Sequence, residues 1–151
     1  MGIETVVLAV REQDDLTEQL AATTSEIAGA SDAEVVLANV YGREEYDQAK
    51  EVLNFSRDGE VTPDVIAERH SRVRDLTDAL SKDNISIRTH GRLTDDASKG
   101  ERFVELAEEA DADLLVISEQ ARSPAGKALF NSTAQEVLLN APCPVTFVRA
   151  E

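Results

Sequence analysis

Apolar residues fall along this chain in two kinds of run. Val6-Val7-Leu8-Ala9-Val10, Val35-Val36-Leu37-Ala38 and Leu114-Leu115-Val116-Ile117 are continuous and of strand length, as strands covered on both faces require. Elsewhere the apolar period lengthens to that of a helix. Leu16, Leu20, Thr24 and Ile27 follow the first run, with Asp14 or Asp15 as the cap before them and Gly29 as the stop. Thr62-Pro63, a cap followed by proline at the first helical position, opens a stripe of Ile66, Val73, Leu76 and Leu80, with His70 on it or at its edge. Ser98 and Glu101 fit a capping box ahead of Phe103, Leu106, Ala107 and Ala110. Ser132 and Gln135 make a second one ahead of Val137, Leu138 and Ala141.

Two further segments are strands of another kind. Ile85-Ser86-Ile87-Arg88-Thr89 alternates, which places it at a wet margin of the sheet. Val145-Thr146-Phe147-Val148 follows Pro142-Cys143-Pro144, and proline at a strand's start suits the opposite edge. Only Gly42 to Glu60 breaks the pattern, a polar excursion with scattered Tyr46, Val52, Leu53 and Phe55 and room for a helical turn or two.

Strands bridged by single helices form right-handed crossovers and therefore pair in parallel. The expectation is an α/β fold of one domain across residues 1–151: a doubly wound, five-stranded, Rossmann-like parallel sheet in the order 3-2-1-4-5, helices on both faces. The order reverses between strands one and four. A crevice opens there, between the Val10-Arg11 loop and the long loop from Ser118 to Phe130 that leads to Asn131-Ser132-Thr133. Helix N-termini beside such a crevice offer N–H groups to anions.

Charge narrows the ligands. Thirty acidic residues against fifteen basic give a net charge of -15, which repels nucleic-acid backbones and anionic lipid surfaces. The acidic residues are spread along the chain, as a salt-rich cytoplasm would favour; an ordinary acidic cytosolic protein is the other reading. Neither a membrane-spanning run nor a basic-then-apolar leader is visible, so a cytoplasmic protein is expected. Cys143 is the sole cysteine and reads as a buried structural thiol. His70 and His90 lack ligand-spaced companions, so no metal site is expected.

Over nearly its whole length the chain resembles the universal stress protein family. The resemblance rests on the Val6-to-Val10 strand, on Ala110-Asp111-Ala112-Asp113-Leu114-Leu115-Val116-Ile117, and on Ala141-Pro142-Cys143-Pro144-Val145-Thr146-Phe147-Val148. The stretch Arg122-Ser123-Pro124-Ala125-Gly126-Lys127-Ala128-Leu129-Phe130, with Asn131-Ser132, is similar to the version found in salt-loving archaea. Such a resemblance implies the adenine nucleotide alpha hydrolase-like fold, a stress-response binding or signalling role, and a crevice for ATP or another adenine nucleotide. Nucleotide-binding members carry Gly, two residues, Gly, nine residues, then Gly with Ser or Thr, and an Asp after strand one. Here that spacing is kept, but Ser118, Ala121 and Asn131 stand at the glycine places and Arg11 at the Asp; only Ser132 matches.

Each departure has a chemical consequence. Glycines let backbone N–H groups approach phosphate oxygens, and Arg11 cannot accept a hydrogen bond as Asp does. Arg122 and Lys127 offer cations instead, with the Ser132-Thr133 hydroxyls at a helix start; two solvated loop charges are the alternative. The candidate site therefore comprises Ala9, Val10, Arg11, Val40, Ile117, Ser118, Ala121, Arg122, Lys127, Asn131, Ser132 and Thr133. Gly126-Lys127 lacks the first Gly and the final Ser or Thr of a P-loop. No catalytic constellation is found, so at most weak ATP hydrolysis is expected. The competing reading is a ligand-free structural or signalling homodimer with a vestigial crevice. In either case the resemblance points to a homodimer, and the edge strand Val145 to Val148 is the expected contact.

Overall fold

The computed structural model describes residues 2–10, 17–52, 62–94, 98–118 and 132–148. Its elements, in chain order, are β1 (Thr5–Val10), α1 (Thr17–Ser31), β2 (Glu34–Gly42), α2 (Arg43–Val52), α3 (Pro63–Arg69), α4 (Ser71–Ser81), β3 (Ile87–Thr94), α5 (Lys99–Glu109), β4 (Leu114–Ser118), α6 (Ser132–Asn140) and β5 (Val145–Val148). The five strands pair in parallel in the order β3-β2-β1-β4-β5, as the sequence pattern predicts.

The continuous apolar runs are continuous because the sheet is buried on both faces. Val6, Leu8, Val10, Val35 and Leu37 pack against Leu20 of α1 and Leu76 and Leu80 of α4. Val7, Ala9, Val36, Ala38 and Ile117 face the other way, onto Phe103 and Leu106 of α5 and Val137 of α6. Alternation along a pleated strand sends neighbours to opposite sides, so Val6 to Val10 and Val35 to Ala38 are apolar at every position, with Asn39 the buried polar residue that follows in β2.

Three helix-to-strand turns share one device. Asp32, Asn84 and Asp111 take left-handed backbone at φ of 54°, 60° and 55°, just past α1, α4 and α5. In each turn the next residue's N–H reaches five residues back: Ala33 to Ala28 O (2.9 Å), Ile85 to Leu80 O (3.4 Å) and Ala112 to Ala107 O (3.0 Å). This is the Schellman ending, made here with Asp and Asn, which tolerate that region. Gly29 thus does not stop the first helix, because α1 continues to Ser31 and turns at Asp32. Its expected caps, Asp14 and Asp15, lie outside the described residues, as does Leu16.

Other expectations need correction. The stripe from Ile66 to Leu80 belongs to two helices, since the chain bends at His70. The excursion holds α2, whose Tyr46 is buried beside Tyr41, Ile66 and Ala67 in a third apolar cluster, while Val52 is exposed and Leu53 and Phe55 lie outside the described residues. β3 is displaced toward Thr94 and holds Gly91 tightly. On α6 the buried side is Ala134 and Val137; Leu138 points outward. Among the described residues no helix is long and apolar enough to cross a membrane.

The two sheet edges differ. α3 lies along β3, where a Cβ on Gly91 would stand 2.1 Å from the Pro63 carbonyl oxygen, and the Gly91 N–H donates to the Asp64 carboxylate at 2.7 Å. That edge is covered. At β5, Leu115 N–H donates to the Pro144 carbonyl at 3.0 Å, so Pro144 faces β4 and the backbone groups of Val145 face away from it.

Candidate functional site

β1 and β4 are neighbours in space although two strands, β2 and β3, lie between them in the sequence, and this reversal makes the crevice. Val6 to Leu8 pair with Leu114 to Val116, so the carboxyl ends of both strands, Val10 and Ser118, emerge side by side with the end of β2. Ala9, Val10, Val40 and Ile117 are all buried, their side chains committed to the two cores. At a crevice they can offer a ligand only backbone groups. Ser118 is not the first loop residue but the last of β4, opposite Val148 in register and buried, and it adds a side chain where a glycine would have none.

α6 begins at Ser132, and half-buried Thr133 lies in its first turn. Neighbouring α5 fixes that turn. A Cβ on Gly100 would stand 2.8 Å from Glu136 Cβ and 3.1 Å from the Thr133 carbonyl oxygen, so only glycine allows the two helices this close. Ser98 accepts from the Glu101 N–H at 3.2 Å, as its capping box predicts, and donates its own hydroxyl proton to Glu136. Across the rim, Lys99 pairs with Glu45 of α2 at 2.6 Å. The structure therefore assembles Ala9, Val10, Val40, Ile117, Ser118 and Thr133 around strand ends and one helix start. Arg11, Ala121, Arg122, Lys127 and Asn131 lie outside the described residues, as does the side chain of Ser132.

The clamp of Ser98, Gly100 and Glu136 escaped the sequence reading. Ser98 was legible only as a cap, and Gly100 inside a helical pattern was the signal of close packing. Beside this clamp, a cavity of about 300 Å³ is lined by Glu101, Val104, Glu105, Glu136 and Asn140. Its three carboxylates, Glu101, Glu105 and Glu136, make it unsuited to phosphate.

Other candidate chemistry finds structural uses. Half-buried Cys143 packs against the α5 side of the core, and burial, then Asp113, pushes its thiol up, away from the reactive thiolate. His70 accepts from the Arg72 N–H through Nδ1 at 3.3 Å. His90 stands 3.8 Å from Asp64, and no group of three metal-ligating side chains occurs among the described residues.

A sheet in this order, with its reversal between the first and fourth strands, is shared by many α/β domains, and the decision comes from comparison. The model of the universal stress protein family matches residues 2–149. The chain belongs to that family. A universal stress protein from Archaeoglobus fulgidus is 23% identical, with a TM-score of 0.70 and coverage of 96% of this chain and 98% of its own. A universal stress protein solved in complex with cAMP is 22% identical, with a TM-score of 0.67 and all of both chains covered. Another, from Archaeoglobus fulgidus in complex with dAMP, is 19% identical, with a TM-score of 0.67 and coverage of 98% and 99%. At such identity these universal stress protein structures establish the shared fold. No curated protein matches the sequence.

Proposed function

We propose that this universal stress protein is a cytoplasmic, non-catalytic binding module that takes an adenine nucleotide, ATP or AMP in type, in the crevice between β1 and β4. One observation carries the reading: the ends of β1, β2 and β4 converge beside the start of α6, which α5 holds in place. Relatives of the same fold, solved with cAMP and dAMP, support the choice of an adenine ligand. Ser118, Ala121 and Asn131 at the glycine places make the site a degenerate one, in which Arg122 and Lys127 replace part of the backbone cradle. The test is calorimetric titration of ATP and AMP, with and without magnesium, near neutral pH in high-potassium buffer after co-purified ligand is removed. Saturable binding, weakened about tenfold in Arg122→Ala or Lys127→Ala, is the expected result. No heat and no thermal shift at millimolar nucleotide overturns it.

A homodimer through β5 is part of the proposal, favoured by the difference between the edges. Asp64 and α3 cover β3, whereas Val145 directs its backbone groups away from β4 and Leu139 on adjacent α6 is 83% exposed. If the crevice is empty of function, this surface is the alternative seat of signalling.

A further inference from the structure

We propose that His70 makes the joint between α3 and α4 an acid-sensitive hinge, closed while its imidazole is neutral and released when the ring takes up a proton. At φ -66° and ψ 137° the residue lies outside both helices, yet it ends one and starts the other. Its N–H donates to the Ala67 carbonyl at 3.1 Å, its carbonyl accepts from Arg74 N–H at 3.0 Å, and Nδ1 accepts from Arg72 N–H at 3.3 Å. Nδ1 can accept only without a proton, so the neutral ring carries its hydrogen on Nε2. Protonation turns Nδ1 into a donor aimed at another donor. It also places a positive charge at the N-terminus of α4, the end where the helix dipole is already positive.

The neighbourhood deepens the effect. Tyr41 of β2 lies with its ring centroid 6.3 Å from the imidazole and the same distance from Tyr46 of α2, over which Lys50 stands at 5.4 Å. Arg69 ends α3 and Arg72 lies in the first turn of α4, on either side of His70. Asp64, the carboxylate at the start of α3, is turned to Gly91 and Arg92 of β3. Burial first, and Arg72 second, hold the His70 imidazole below its ordinary range. Because the native value lies below the unfolded one of about 6.5, the hinge's contribution is complete above that pH and is lost as pH falls through the native value. A ring driven out loses its packing on Tyr41, which directly follows Val40 of the crevice wall, so the opening adjoins the binding region.

Amide hydrogen exchange on the whole chain between pH 7.5 and 5, corrected for intrinsic rates, tests this in Arg72 to Arg74. His70→Asn keeps a cap acceptor that does not titrate. The expected result is an additional loss of protection of about fivefold in the wild type at low pH, absent from His70→Asn. Arg72→Gln removes the opposing charge but keeps the backbone donor, and moves the midpoint of the loss upward. Equal pH dependence in wild type and His70→Asn overturns the hinge; if His70→Asn does not fold, a midpoint unmoved by Arg72→Gln overturns it.

Discussion

Gly91 shows how a single residue holds the covered edge. Its would-be Cβ stands 2.1 Å from a backbone oxygen of Pro63 and 2.6 Å from the carbonyl carbon, atoms that cannot rotate aside. Gly91→Ala must push α3 off β3 and is expected to cost about 3 kcal/mol or more, read from urea denaturation. Thr24 presents the opposite case. It occupies an apolar position of α1, is wholly buried, and its hydroxyl has no hydrogen-bond partner among the described residues. Thr24→Val keeps the shape and removes the stranded hydroxyl, so stability should rise by about 1 kcal/mol in the same assay. Thr24 was legible by its spacing. Gly91 was not, because its constraint comes from a helix 28 residues earlier in the chain, beginning at Pro63.

At the scale of elements, legibility followed locality. The strands of the sheet center were readable because burial on both faces leaves an uninterrupted apolar run, and Thr62 and Ser98 because a cap is decided within four residues: Thr62 accepts from Val65 N–H at 3.3 Å and Ser98 from Glu101 N–H at 3.2 Å. The end of α1 was misjudged since Asp32 does what a glycine usually does, and the break at His70 since its stripe keeps helical spacing on both sides of the bend. Ser98 carries more than a cap. Ser98→Ala removes the acceptor for Glu101 and the donor to Glu136 together, so it should cost about 1–2 kcal/mol and loosen the first turn of α6, seen as faster amide exchange there. For β5, Val145→Pro removes an N–H that faces away from β4. Light scattering should report a monomer with that variant and a dimer with the wild type; a dimer in both contradicts pairing through this edge.

For the whole molecule, sheet order was legible because a chain of alternating strands and helices has few allowed topologies, and the family because stretches such as Ala110 to Ile117 and Ala141 to Val148 resemble it. The candidate site was legible only in outline. Ala9, Val10, Val40 and Ile117 do reach the strand ends, but the clamp between α5 and α6 that holds the helix start depends on Gly100, Thr133 and Glu136, drawn together from distant positions. Amide chemical-shift mapping of the isotope-labelled protein with saturating ATP in high-potassium buffer tests whether nucleotide occupies the crevice between β1 and β4. Perturbations concentrated at Val10, Val40, Ser118 and Thr133 are the predicted result. Shifts confined to the acidic cavity around Glu101, Glu105 and Asn140, or none anywhere, would contradict it.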